Sequence, residues 1–250
     1  MSISNAFKLA LQRASNMFFD DTTAQLGETD VQGAIEALSV GYRLHSATPV
    51  EFTASGTYTP DASVEKILVI AQGAGGGVRE NDGRRITGGG GAGGRAEKFI
   101  DATELTIVIG AGVAGGDGGN TAVTGTDIDL VAGGGGDAGR RTAGISARAA
   151  RGGDGGTASG GDRNINGQPG TPGLMLTSDD DVAFAGTGGS TLYGSGGRAG
   201  ADNGTSHRPD DSTGYGAGAS GTFRRSGSGG WDARPGRPGV AYIYEFVRAS

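Results

Sequence analysis

Gly88-Gly89-Gly90-Gly91-Ala92-Gly93-Gly94 is the stretch on which the fold turns. Similar runs recur at Gly133-Gly134-Gly135-Gly136, Gly152-Gly153-Asp154-Gly155-Gly156 and Gly214-Tyr215-Gly216-Ala217-Gly218, inside a glycine-rich field from Gly73 to Gly239. The runs are too short and too often interrupted to form one linker. Glycine loses the most backbone freedom on folding, so an ordered chain rich in it must recover that cost by close backbone approach. A polyproline-II-type helix permits this, with three residues per turn, a rise of about 3.1 Å and no internal hydrogen bonds. Such helices must bond to one another, and bare glycine backbones come close enough to do so. Strict G-X-Y phasing is absent, which excludes collagen. The expected fold is mostly irregular or β. It has short N-terminal helices, a small β base and a bundle of polyglycine-II helices with apical loops.

Composition narrows the rest. The chain has 250 residues, 54 of them glycine, and Leu, Ile, Val and Phe together make under a fifth of it. That range borders on disorder, but the net charge of -6 is modest. With so few apolar side chains, backbone packing must replace a large core. There is no cysteine, which excludes disulfides and thiolate metal sites. Two histidines argue against a histidine metal site, so no metal and no cofactor is expected. The acidic balance argues against a nucleic-acid partner. No apolar run reaches the length of a membrane span, and no membrane insertion is expected. The first residues lack a basic region followed by an apolar run, so no signal peptide is expected.

Two domains are expected, an N-terminal oligomerisation and attachment segment at 1–47 and a glycine-rich domain at 48–250. In the first, Ile3, Phe7, Ala10, Ala14 and Met17 are spaced 4, 3, 4, 3, a heptad seam that predicts a helix over 3–18. A second short helix is predicted around Val31, Ile35 and Leu38, with a Thr29–Gln32 capping box and Gly41 at its end. Helices this short are marginal alone in water, so the segment predicts association, as a homotrimer. From Val50 the period becomes two. Strands are predicted near Glu51–Thr53, Gly56–Thr59, Ile67–Ile70, Lys98–Ile100 and Leu105–Ile109, with Val240–Val247 closing the fold beside Ile67–Ile70. Two hairpins, Thr121–Val123 with Ile128–Ala132 and Leu174–Leu176 with Val182–Ala185, each lead into a glycine run. Both are expected at the base.

Several motifs invite a chemical reading. Gly110-Ala111-Gly112-Val113-Ala114-Gly115 is a literal G-x-G-x-x-G after a strand, but Gly116-Asp117-Gly118-Gly119-Asn120 follows it where the dinucleotide motif needs an amphipathic helix. The stretch Gly115–Asn120 is similar to calcium-binding glycine-aspartate repeats without their nine-residue period. Asp179-Asp180-Asp181 reads as a solvated turn. His45 and His207 lie in a connector and a loop, and no nucleophile-base-acid arrangement stands out. The protein is not expected to be an enzyme.

The polar excursions carry more information. Arg84, Arg85, Arg140, Arg141, Arg148, Arg208, Arg224 and Arg225 fall in them, with His207, Phe223 and Trp231. Arginine forks grip carboxylate and phosphate, aromatic faces stack on sugars or side chains, and polar loops on a rigid scaffold commonly bind. The predicted binding set is Arg84, Arg85, Arg140, Arg141, Arg148, His207, Arg208, Phe223, Arg224 and Trp231. If glycine runs leave a base and return, the segments 79–87, 140–151, 201–213 and 222–234 gather at the far end.

Three stretches carry a family resemblance. Asp30-Val31-Gln32-Gly33-Ala34-Ile35-Glu36-Ala37-Leu38 looks like the short V-Q-x-A-I-E-x-L helix of fibre proteins. Phe52–Pro60, followed by Ile67–Ile70 and Gly73–Gly77, looks like the opening of a glycine-rich fibre domain, and Pro238–Phe246 like its closing strand. In this order they resemble bacteriophage tail-fibre proteins with glycine-rich receptor-binding tips. The resemblance implies an adhesin at the distal tail fibre or tail tip of a virion. Its partners would be other tail proteins and a bacterial surface glycan or outer-membrane protein. The alternative is a structural tail-tip or baseplate component whose loops contact other virion proteins.

Overall fold

The computed structural model describes residues 42–79, 85–142, 148–175, 183–199, 201–202, 211–224 and 233–248. The helices expected over 3–18 and around 31–41 lie outside them. The expected fold class is corrected. Among the described residues there is no helix, and the strands form four antiparallel sheets in place of a mostly irregular chain on one small base. Glycine is a poor helix former, and the segments between glycine runs alternate apolar and polar residues, which favours pairing as strands.

Two of the sheets make the base. One orders Tyr42–Leu44, Val240–Arg248, Lys66–Gln72, Arg95–Asp101 and Arg163–Ile165, with Val50–Phe52 also pairing to Val240–Arg248. The closing strand runs beside Lys66–Gln72 in the register Val240↔Gln72 to Phe246↔Lys66. The second sheet orders Ala158–Ser159, Ile128–Ala132, Thr121–Gly125, Leu105–Val108 and Gly56–Tyr58. Alternate residues of both sheets (Ile67, Val69, Ile243, Leu105, Ile107, Val123 and Leu130 among them) bury themselves in the main core. At the edge of this core the Tyr58 hydroxyl donates to Glu245 at 2.8 Å.

Glycine runs lead out of the base, and Gly88–Gly94 lies at their centre with every residue buried. Its amides bond in a cycle of three. Gly88, Gly91 and Gly94 donate to Gly139, Gly136 and Gly133; Gly89 and Ala92 to Thr171 and Gln168; Gly90 and Gly93 to Ala219 and Gly216, all at 2.8–3.1 Å. Its carbonyls accept with the same period, Gly91 and Gly94 from Gly76 and Gly73, Gly89 and Ala92 from Gly153 and Gly156, and Gly90 from Gly189. Six neighbouring segments thus surround one run. Partner numbers fall as the run advances for four of them and rise for two, so the central run has both antiparallel and parallel neighbours. A chain with three residues per turn points successive peptide groups about 120° apart, which is why one run can serve six neighbours where a strand serves two. The approach leaves no room for side chains: a Cβ at Gly90 or Gly135 would fall within 3.0 Å of the carbonyl oxygen of Gly76 or Gly91. Val78, Ala138 and Ala219 form a small cluster of their own within the bundle.

The runs end in two further sheets, opposite the base. Arg140–Thr142, Arg85–Thr87 and Phe223–Arg224 make one; Arg148–Ala150, Gly173–Met175, Ala183–Phe184 and Ala201–Asp202 make the other. Ile86 and Phe223 from the first and Ala150, Met175 and Ala183 from the second close a separate core. The hairpin of Thr121–Gly125 with Ile128–Ala132 lies at the base, but that of Gly173–Met175 with Ala183–Phe184 lies at this far end, which corrects its expected position. A run of seven residues spans roughly 20 Å, so the two ends are well separated.

The G-x-G-x-x-G stretch is also accounted for. After Leu105–Val108 the chain runs extended to a bridge between Ala114 and Pro235 and turns at Gly115 (φ 67°), with no helix to receive a pyrophosphate. The Gly110 amide donates to the Thr121 hydroxyl.

Candidate functional site

The far end gathers half of the predicted binding set by backbone position. Arg85, Arg140, Arg141, Arg148 and Arg224 all sit on its strands. In the three-stranded sheet Arg140 stands opposite Thr87, Arg141 opposite Ile86, and Arg224 opposite Arg85. In the four-stranded sheet Arg148 stands opposite Met175 and Ala183 opposite Asp202. Arg140 is exposed. Arg84, His207, Arg208 and Trp231 lie outside the described residues.

Phe223 is a correction. It is fully buried and stands opposite Ile86 at the centre of the small core, so it holds the sheets together and cannot meet a partner. Its place in a glycine-rich sequence gave no sign of this, because its core neighbours come from segments up to 137 residues away, Ile86 the most distant.

Sequence reasoning missed the apolar side chains this end displays. Leu174 and Phe184 stand opposite each other in the hairpin, 39% and 45% exposed, while Met175 and Ala183 beside them point into the core. Ala149, opposite Leu174, is exposed too. Strand alternation puts these three on the outer face of the sheet. The signal was present in the hairpin pattern but was read as belonging to the base.

A second feature lies on the flank of the bundle, a groove of about 530 Å³ lined by Asp117, Asn120, Asp137, Arg151, Asp154 and Thr157. Its polar groups serve the scaffold. Asp117 and Asn120, three residues apart, accept the amides of Asp137 and Gly134, also three apart, while the Gly118 amide between them donates to the Gly135 carbonyl. Arg79 pairs with Asp137 at 2.7 Å and Arg151 with Asp154. The glycine-aspartate stretch thus caps amides, and among the described residues no group of three or more acidic or histidine side chains could hold a metal ion.

Where bundle meets base, the turn at 190–194 folds over the upper outer face of the six-stranded sheet. Tyr193 lies 5.2 Å from Tyr242, with the Arg95 guanidinium 5.3 Å from its ring centre. Arg95 also pairs with Glu97 at 2.6 Å, and the Tyr242 hydroxyl donates to Glu51 at 3.2 Å. Burial, then the Glu51 charge, holds the Tyr242 phenol well above its usual range, and burial likewise raises Tyr193. Both phenols stay protonated; Tyr242 donates to Glu51 and Tyr193 packs against Tyr242 and Arg95, which makes this region a brace.

Comparison with known protein families matches the glycine-rich domain over residues 51–244, from the first base strands into the closing strand. The chain belongs to the glycine-rich domain family. The match covers both base sheets almost entirely, the whole bundle and both far-end sheets, so in this member the glycine-rich domain is one β-and-glycine unit. No curated protein matches the chain.

Proposed function

We propose that this glycine-rich domain is the receptor-binding end of a bacteriophage tail fibre, a non-enzymatic adhesin for a bacterial surface glycan or outer-membrane protein. The observation that carries the reading is the platform at the far end. Packing that is mostly backbone on backbone holds two small sheets some 20 Å from the base, one displaying Leu174 and Phe184 and the other carrying exposed Arg140. Aromatic and arginine anchors dominate binding energy at interfaces, and a scaffold knit by backbone hydrogen bonds places them with little loss of freedom. The seven-residue spacing of Ile3, Phe7, Ala10, Ala14 and Met17 in the N-terminal sequence supports a homotrimer joined through that segment to other tail proteins. In a virion the protein would sit at the distal end of the fibre or tail.

Labelled full-length protein should bind intact host cells and compete with virion adsorption. Leu174→Ser with Phe184→Ser, or Arg140→Ala, should weaken adsorption at least tenfold while the melting temperature stays within a few degrees. Binding to other virion proteins with none to cells would favour a structural tail-tip or baseplate component. Release of fragments from capsule or lipopolysaccharide would make the protein an enzyme instead.

A further inference from the structure

Inner runs of the bundle are closed on the outside by other segments of the same chain. Run 115–120 bonds to both the 73–78 and 133–139 runs, 234–238 to both 73–78 and 216–219, and 194–197 to both 186–189 and 216–219. Runs 133–139 and 152–157 are adjacent in the same way, since the Gly133, Gly136 and Gly139 amides donate to Thr157, Asp154 and Arg151. Outside this pair the described residues place no segment, and the groove of about 530 Å³ lies there, lined by both runs. Most of its polar side chains are engaged with the scaffold, but part of its backbone is not. Successive carbonyls of a chain with three residues per turn lie about 120° apart. Those of Gly135 and Gly136 meet the Gly118 and Gly91 amides, so those of Gly134 and Asp137 take the third direction, into the groove. On the other wall, Asp154 and Thr157 turn their carbonyls to the 133–139 run. The amide and carbonyl of one residue face adjoining neighbours in this packing; Gly91, for instance, donates to Gly136 and accepts from Gly76. The Gly153 and Gly156 amides already take the side facing the central run, so the Asp154 and Thr157 amides open into the groove. None of these four groups has a hydrogen bond within the described residues.

We propose that this groove is a docking channel for an extended glycine-rich segment of another polypeptide, seated in the polyglycine-II conformation as one more run of the bundle. The segment donates to the Gly134 and Asp137 carbonyls and accepts from the Asp154 and Thr157 amides. Each pair is three residues apart, about 9 Å, which is one turn of that conformation. An outer segment already in place uses the same period: Gly116 and Gly119 accept from Gly77 and Ala74. The floor is also shaped for backbone. A Cβ on Gly134 would collide with the Gly118 carbonyl, so glycine there makes room for a run that is present. The nearest atom to a Cβ on Gly136 is the Asp154 nitrogen, at 3.0 Å, so glycine there leaves the groove bare. Addition of a strand to an open edge recognises a partner chiefly through main-chain hydrogen bonds, and the groove offers the same kind of edge in this lattice. No aromatic ring lines it to stack on a sugar, which favours a peptide over a glycan.

Isotope-labelled full-length protein would be titrated with a synthetic peptide of repeated Gly-Gly-Asn, and amide hydrogen exchange followed residue by residue by NMR. A free peptide must give up backbone freedom to bind, so the effect is expected at millimolar peptide; a partner that already holds its run in order binds more tightly. The Asp154 and Thr157 amides should exchange at least tenfold more slowly with the peptide, while amides of the far-end sheets keep their rates. Asp154→Pro removes one open amide, and the fixed φ of proline suits this conformation. It should leave the melting temperature within a few degrees and abolish the peptide's effect on Thr157. No slowing at Asp154 and Thr157, or an Asp154→Pro protein that responds to the peptide as the natural one does, would overturn the proposal. So would a sharp fall in melting temperature for Asp154→Pro, which would place that amide's partner inside the fold. Slowing by maltohexaose and not by the peptide would give the groove to a glycan instead. Cell adsorption is read at the far end and is untouched by any of these results.

Discussion

At the scale of single residues, the most demanding positions are the glycines inside the bundle. Gly90 faces the Gly76 carbonyl and Gly135 the Gly91 carbonyl, both backbone atoms that cannot move aside cheaply. Gly90→Val or Gly135→Val should lower the melting temperature sharply or abolish soluble protein; unchanged melting for both would mean the runs do not pack as described. Phe223→Ala should cost about 3–5 kcal/mol, the usual penalty for emptying a buried aromatic site, and should be read in thermal unfolding before any effect on adsorption. Tyr58 sets a pH limit. Burial, then its hydrogen bond to Glu245 and that group's charge, raises its phenol well above the ordinary value. A raised folded pKa means that the stabilisation is fully present below the unfolded value of about 10 and is lost as pH rises beyond it. Chemical denaturation at pH 8 to 11 should therefore show stability falling at the alkaline end, less steeply in Tyr58→Phe; equal slopes in both proteins would show that Tyr58 is not the group responsible.

At the scale of elements, the central run differs from the outer ones in a measurable way. All seven amides of Gly88–Gly94 are buried and bonded to other runs, three neighbours taking the amides and three more donating to the carbonyls of the same run. Native-state hydrogen exchange should find these amides among the slowest in the domain, approaching global unfolding. Amides at outer positions, such as Gly134 bonded to the Asn120 side chain, should exchange faster. Exchange of Gly88–Gly94 as fast as exposed loops would refute the six-neighbour arrangement. The two hairpins make a contrast at this scale. Both were visible as paired apolar stretches about a turn, because alternation is a local property. Their placement at base or far end was not, because each turns on which glycine run the strand feeds.

At the scale of the molecule, two separated cores are joined by a bundle that has almost no side chains. The base core is made by long strands, and the far core by Ile86, Ala150, Met175, Ala183 and Phe223. Because Leu174 and Phe184 lie on the outer face and outside the far core, substitutions there should alter adsorption without altering melting. A large fall in melting temperature for these variants would show that the outer face also holds the fold together.

The sequence by itself determined the longer strands of the base, where the closing strand returns, and that the glycine runs bond between themselves, though not the strands Tyr42–Leu44, Ala158–Ser159 or Arg163–Ile165. It also marked Arg85, Arg140, Arg141, Arg148 and Arg224 as residues carried away from the base. These are consequences of period, composition and loop position, which are written along the chain. Only the tertiary structure decided that the described chain is sheet-rich and without helices, that Gly88–Gly94 is the centre, that Phe223 is core, and that Leu174 and Phe184 are surface. The physical reason is that a glycine run has no side chain with which to choose a neighbour. Every run offers the same donors and acceptors every third residue, so partners are selected by the loops and strands that fix where each run starts and ends. Those constraints link residues more than a hundred positions apart, and burial follows from them.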